Sequence, residues 1–307
     1  MSPTAFLFPG QGSQIVGMGR KFFENDKQAR EFFARADETL GYSLSKMCFE
    51  GPEEELKLTK NTQPALLVVS TIAFSLMGRL PDMAAGHSLG EYSALVASGV
   101  LAFEDALLLV HKRGRYMQEA VPVGVGAMAA VLGSTYEEVA ESVKKVSRGV
   151  VEIANWNSEQ QIVIAGHKEA VEEVLDILDP PRAVPLPVSA PFHCELMKSA
   201  AEKLSKDLDA VPFKDPAFPV VTNVDALPVQ TGGEAREALK KQVRNAVLWY
   251  KTMELFNMEK VDVFVELGSG KVLSGLAKRI SKKWDKKPLI LNVEDPESLE
   301  KTKEQMS

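Results

Sequence analysis

The chain is poor in cysteine and histidine, with two of the first, Cys48 and Cys194, and four of the second. Two thiols cannot build a disulfide scaffold, and without a CxxC pair a structural zinc site lacks its ligands. Positive charge is also short. Lys and Arg number 36 against 42 Asp and Glu, a formal net charge of −6. That balance argues against nucleic-acid binding through overall charge. Long apolar runs are missing too. Residues 65–78 form the longest, yet it contains Ser70, Thr71 and Ser75. It falls short of the roughly 20 residues that span a bilayer. No Lys or Arg precedes Arg20, and the apolar stretch at the amino terminus is too short for a signal peptide. Repeats and low-complexity tracts are absent. The expectation is a cytoplasmic protein with no membrane segment, no metal site and reduced thiols.

What remains is an ordinary globular composition, 45% hydrophobic and 25% charged over 307 residues. That length suits about two domains, or one domain with an insert. Short apolar runs at residues 5–8 and 82–85 read as buried strands, each running into a glycine-containing turn. Residues 66–76, 91–98 and 103–119 read as helices, and the alternation favours a layered α/β architecture. Residues 124–188 read differently, as strands at 127–132, 150–154, 161–165 and 183–186. Helices fall between them, to about Val146 from a capping box at Ser134–Glu137 and over 167–178. The order is β-α-β-β-α-β, the ferredoxin-like arrangement, so 124–188 is expected to be a small subdomain. Residues 1–123 and 189–307 then form the main domain, with a strand at 261–267 and a helix at 271–282. The tail from Asp295 is expected to fray.

Gly86-His87-Ser88-Leu89-Gly90 fits G-x-S-x-G between a strand and a helix. That is the setting of a nucleophile elbow, with a serine held on a sharp turn at a helix amino terminus. The N–H of Leu89 is then placed to stabilise an oxyanion. A serine needs a base. His87 adjoins Ser88 and should diverge from it, His111 reads as a structural residue in mid-helix, and His167 as a surface or capping residue. His193 lies downstream, in the Ser-before-His order of α/β-hydrolases. Asp225 stands as a third-member candidate that nothing in the sequence singles out. Cys194 reads as a small buried residue, since Glu195 beside it disfavours a thiolate.

The motifs in order resemble those of the malonyl-CoA:acyl carrier protein transacylases of type II fatty-acid synthesis. They are Phe8-Pro9-Gly10-Gln11-Gly12-Ser13-Gln14, Thr62-Gln63-Pro64-Ala65, the elbow with Glu91-Tyr92, and Arg113-Gly114-Arg115-Tyr116-Met117. Asn155 and Asn157 with residues 161–166, then Phe192-His193-Cys194 and Glu266-Leu267-Gly268-Ser269-Gly270, complete the set. Departures are Ser269 for a common proline and, in residues 244–249, Ala246 for proline and Leu248 for a polar residue. The resemblance implies a hydrolase-like parallel-sheet core carrying the ferredoxin-like insert. It implies Ser88 as nucleophile and His193 as base, oriented by the main-chain carbonyl of Gln242 rather than by a carboxylate. Gln11 matches the second oxyanion donor and Gln63 a supporting polar residue.

By the same resemblance Arg113 holds the free carboxylate of a malonyl group, where the sequence alone favours a solvated helix arginine. Arg115, two positions on, faces elsewhere. Phe192 resembles malonyl-selective members and would crowd a branched α-carbon. Malonyl-CoA is implied as substrate, acyl carrier protein as partner, and no cofactor. Residues 274–287 hold six basic residues against one acid. Lys278, Arg279, Lys282 and Lys283 are therefore candidates for meeting an acidic carrier. A serine thioesterase, an acyltransferase serving a polyketide synthase and a noncatalytic carrier-binding module are the alternatives.

Overall fold

A computed structural model describes residues 2–188 and 190–307. The chain start at Met1 and the expected boundary at Ser189 lie outside the described residues. The strands are β1 (Thr4–Phe8), β2 (Met83–Gly86), β3 (Gly126–Leu132), β4 (Val151–Ser158) and β5 (Gln161–His167). They continue with β6 (Arg182–Pro185), β7 (Val220–Val221), β8 (Pro228–Val229), β9 (Val263–Leu267) and β10 (Leu289–Val293).

The larger sheet has the order β10-β9-β1-β2-β7-β8. It is parallel from β10 to β7, and only β8 runs antiparallel. All five residues of β1 are buried, so the strand carries no polar alternation and needs cover on both faces. Alternate side chains supply it. Phe6 and Phe8 pack into one core with helices Thr59–Met77, Leu89–Ala97 and Phe103–Glu119. Ala5 and Leu7 point the other way, into a second core with Trp249, Met253, Leu273 and Ile280. The result is a helix–sheet–helix sandwich.

The smaller sheet has the order β4-β5-β3-β6 and is antiparallel throughout. With helices Tyr136–Lys144 and Lys168–Leu178 it completes the β-α-β-β-α-β insert. Its strands are also two-faced. Ala129 and Val131 pack against the insert's own helices, whereas Met128 and Ala130 join the main core. One face of this sheet therefore covers the main domain.

Several details differ from the sequence reading. The capping box sits one residue later, between Thr135 and Glu138, where Thr135 is extended and its hydroxyl accepts from the Glu138 N–H. The sequence Ser-Thr-Tyr-Glu-Glu satisfies the pattern in both frames. Strand β4 runs through Asn157 and Ser158, expected as a joint, and absorbs the extra length in two register shifts. The tail does not fray. Asp295 caps helix Pro296–Gln305, proline occupies its first turn, and Leu299 and Thr302 are buried. The buried helix begins at Thr59, ahead of Pro64. Proline cannot donate to the Lys60 carbonyl one turn back, and His111 donates to it instead, at 3.0 Å. Among the described residues no helix is long and apolar enough to cross a membrane.

Candidate active site

Strand β2 ends at Gly86 and helix Leu89–Ala97 begins three residues later, so Ser88 occupies the turn with φ 51° and ψ −104°. That is a strained conformation for a residue with a side chain. The flanking glycines make it attainable. A Cβ on Gly86 would lie 1.8 Å from the Gly90 carbonyl carbon, and one on Gly90 would lie 1.9 Å from the Phe8 carbonyl oxygen. Strand, turn and helix close on one another too tightly for any other residue.

The turn presents Ser88 Oγ to two partners. His193 Nε2 lies 2.8 Å away and an Arg113 Nη2 donates to Oγ from 3.0 Å. The other ring nitrogen of His193, Nδ1, donates to the Gln242 carbonyl oxygen at 2.9 Å. Nδ1 therefore carries the proton and Nε2 is free to accept the one on Ser88. Burial is the main reason His193 is pushed down to about 3, and the Arg113 charge adds to it. The imidazole is neutral at any ordinary pH. Asp225 is exposed, and the position it would occupy on His193 is taken by Gln242.

Arg113 is the unusual group. It comes from helix Phe103–Glu119 and is 1% exposed, against the sequence-alone reading of a solvated residue. Its guanidinium sits 5.5 Å from the Tyr92 ring centroid and donates to Gln242 Oε1 at 2.9 Å. Its Nε has no partner among the described residues. Arg115 is exposed on another face, over the Tyr116 ring.

A cavity of about 100 Å³ lies beside these groups, lined by Gln11, Gln63, Ser88, Leu89, Arg113, Phe192 and His193. Met117, Met128, Leu186 and Val188 close its apolar side. Leu89 is the first residue of its helix, so its N–H has no intrahelical acceptor. Gln11 lies in the loop after β1, held by a 3.3 Å bond from its side chain to Thr59. Gln63 is buried, with its amide nitrogen 3.7 Å from Met117 Sδ. Phe192 is buried and its N–H faces Met128 Sδ at 3.3 Å. All eight sequence candidates, Gln242 included, thus meet around Ser88.

Three participants have no role in the sequence reading, although Glu91 and Asn157 stand in its motifs. Asn223, just after β7, accepts from the Ser88 N–H at 2.7 Å and donates to the Gly86 carbonyl at 2.6 Å, clamping the elbow. A two-residue strand leaves no pattern to flag it. Glu91 is buried directly behind the turn and bonds Asn223 and Gln242. Its signal was a glutamate inside an otherwise apolar helical stretch. Asn157 on β4 sits 2.8 Å from His87 Nε2, tying the insert to the elbow. The remaining polar candidates have local roles. His167 Nδ1 accepts from the Val150 N–H, and the buried Cys194 thiol is pushed up to about 12 and donates to the Pro191 carbonyl.

Lys278, Arg279, Lys282 and Lys283 are exposed, away from the cavity lining. Arg279 donates to Gln161 at 2.7 Å and Lys283 pairs with Glu159, both on the insert's β4–β5 hairpin. Among the described residues Lys278 and Lys282 form no ion pair.

Residues 5–288 match the acyl transferase domain family. The chain is 46% identical to the malonyl CoA-acyl carrier protein transacylase of Bacillus subtilis (strain 168), over 98% of this chain and 96% of that one. The chain belongs to the malonyl CoA-acyl carrier protein transacylase family. It is also 48% identical to the transacylase of Escherichia coli (strain K12), over 91% of this chain and 93% of that one. Among solved structures, the transacylase from Coxiella burnetii superposes with a TM-score of 0.95 at 39% identity, covering 99% of this chain and 98% of that one. A type II PKS acyl-carrier protein in complex with its malonyl-transacylase gives 0.95 at 43% identity, covering 99% and 100%. The family's α/β core with an antiparallel insert is the architecture described above.

Proposed function

We propose that the protein transfers malonyl groups from malonyl-CoA to the phosphopantetheine thiol of acyl carrier protein, supplying fatty-acid synthesis. The reaction is a ping-pong exchange through malonyl-Ser88. His193 Nε2 takes the Ser88 proton as Oγ attacks the thioester carbon. The N–H groups of Leu89 and Gln11 hold the tetrahedral oxyanion, a contribution of about 100- to 1,000-fold for each such donor. His193 returns the proton to the departing CoA sulfur. The carrier's thiol then attacks malonyl-Ser88 by the same steps in reverse. Protein groups and two thiols suffice for this sequence.

One observation carries the reading: a buried guanidinium donates to the serine oxygen from 3.0 Å. A malonyl carboxylate can accept two parallel hydrogen bonds from it. An acetyl group offers no acceptor there and would leave guanidinium N–H groups buried without a direct partner. The phenyl ring of Phe192, at the cavity wall, leaves little room for a branched α-carbon. Gln63 supports the site from the helix beneath. A thioesterase would need neither the cation nor so small a chamber.

The carrier docks, on this reading, beside Lys278 and Lys282, with Arg279 and Lys283 contributing as far as their bonds to the insert allow. One structural neighbour serves a type II PKS, and the same chemistry would serve that carrier. A cytoplasmic location belongs to the same proposal, in keeping with two free, buried thiols.

Intact-protein mass spectrometry after malonyl-CoA tests the reading. The malonyl adduct should form on the parent protein, vanish in Ser88→Ala, and give way to relatively more acetyl adduct in Arg113→Ala. Failure of the parent to acquire malonyl would refute transfer. Unchanged malonyl loading in Arg113→Ala would refute the carboxylate clamp.

A further inference from the structure

The Gln242 side chain lies between two buried charges. Its Oε1 accepts from Arg113 Nη2 at 2.9 Å, and its Nε2 donates to Glu91 Oε2 at 2.9 Å. The same nitrogen reaches the Ser88 carbonyl at 2.9 Å. The amide dipole is therefore aligned by a cation at one end and a carboxylate at the other. Its orientation fixes what Arg113 can donate to. The backbone of the same residue supplies the carbonyl that His193 donates to. Glu91 is only 1% exposed, and no carboxylate among the described residues pairs with Arg113 directly. Glu91 is the negative charge that faces it, one amide away.

The two oxygens of Glu91 have different surroundings. Oε2 accepts from the Asn223 N–H at 2.8 Å as well as from Gln242. Oε1 is buried without a partner. Either protonation state leaves Oε2 able to accept both bonds, so the frame survives while Oε1 gains or loses a proton. The groups facing the carboxyl are Arg113 from helix Phe103–Glu119, neutral Asn223 and Gln242, and exposed Asp225. Tyr92 on its own helix is kept protonated by burial. Burial outweighs the hydrogen bonds and the guanidinium, leaving Glu91 pushed up to about 7 in the free enzyme.

A second carboxylate changes that balance. On the malonyl-transfer reading, on which this inference rests, the substrate carboxylate neutralises Arg113 and adds a negative charge to the same dry pocket. One guanidinium cannot offset two buried carboxylates. We propose that Glu91 is a positioning residue and the internal charge partner of Arg113, holding Arg113 and the His193 acceptor through Gln242 and taking up a solvent proton on Oε1 when a malonyl carboxylate docks. No bond to substrate forms at Glu91. The acyl exchange itself is proton-neutral, since the serine proton leaves on CoA. Any net uptake therefore reports the carboxyl.

The test uses the intact protein. Mixed with malonyl-CoA at pH 7 in weak buffer with an indicator dye, it should take up about half a proton per malonyl-Ser88, as linkage gives for a group near 7. Acetyl-CoA should give none per acetyl-Ser88. In parallel, the KM for malonyl-CoA should rise about tenfold between pH 6 and pH 8, because the ionised carboxyl must be protonated for docking. In Glu91→Gln that dependence should be lost. A merely structural glutamate would not move either readout. Malonyl-Ser88 forming without proton uptake would overturn the proposal and leave the transfer reading intact. No malonyl-Ser88 at all would overturn both. The uptake measurement needs no variant, so it decides the matter even if Glu91→Gln does not fold.

Discussion

On the proposed mechanism His193 can act as a base only because its surroundings keep it neutral. Its acid form would be a second buried cation beside Arg113, and burial with that neighbour brings it down to about 3. The sign has a kinetic consequence. The active form is the neutral imidazole, so activity from this group is lost only as pH falls through about 3, well below the usual histidine range. Rapid-quench acylation at saturating malonyl-CoA should show a flat kcat from pH 8 down to pH 5. An inflection near 6.5 would show that His193 is not held in this way. At this scale the serine was legible, because glycines on both sides and the strand–helix setting are local properties. His193 was favoured among four histidines by chain order alone. The role of Gln242 came only with the family resemblance, because a main-chain carbonyl leaves no mark on residue type. Ser88, His193, Arg113 and Gln242 span more than 150 positions, and only folding brings them within 3 Å of one another.

Among the elements, the join of β9 to its following helix shows how a buried charge can serve structure rather than chemistry. Glu266 on β9 is fully buried, and its two oxygens accept from the N–H groups of Leu273 at 3.0 Å and Ser274 at 2.7 Å. A strand residue thus caps the first turn of helix Val272–Ile280. It also places negative charge at the positive end of the helix. Glu266→Ala would strand both N–H groups and should cost about 2–3 kcal/mol. Glu266→Gln keeps an acceptor and should cost about half as much. Urea unfolding reads both, and a midpoint for Glu266→Ala equal to the parent's would reject the cap. The strands read from sequence were short, largely apolar runs bounded by turns, of which β1 is buried throughout. Strands β7 and β8, two residues each, exist because neighbours pair with them, and no periodicity announces such a segment. The last helix was hidden by its charge, since only Leu299 and Thr302 anchor it.

The whole molecule is held together across the site. Strand β4 of the insert exchanges backbone bonds with Val247, Val247 N–H to the Ala154 carbonyl and Trp156 N–H to the Val247 carbonyl, each 2.9 Å. Val247 lies a few residues beyond Gln242, so the insert is fastened to the segment that orients His193. The His87–Asn157 bond and the contacts of Arg279 and Lys283 to the β4–β5 hairpin add to this. Part of the basic stretch is therefore internal fastening. On the proposed docking, Lys278 and Lys282 are the two left to meet an acidic partner. The double charge reversal Lys278→Glu/Lys282→Glu should raise the carrier's KM several-fold at low salt, the effect shrinking as salt screens it. A KM equal to the parent's at low salt would exclude this face as the docking surface.

The sequence by itself determined the layered α/β class, the β-α-β-β-α-β order of the insert and the elbow serine. Each is written in local spacing: apolar runs, glycine turns and caps. Through the ordered motifs it also carried the family's assignment of Arg113 and Gln242. Only the tertiary structure decided that Arg113 is buried rather than solvated, and that Asn223 and Glu91 stand behind the serine. It also decided that half of the basic candidates are tied to the insert. Burial and charge balance are properties of the assembled interior, where groups far apart in the chain share one low-dielectric space. A net charge of −6 describes the chain as a polymer, while one guanidinium and one carboxyl on either side of a glutamine describe the site.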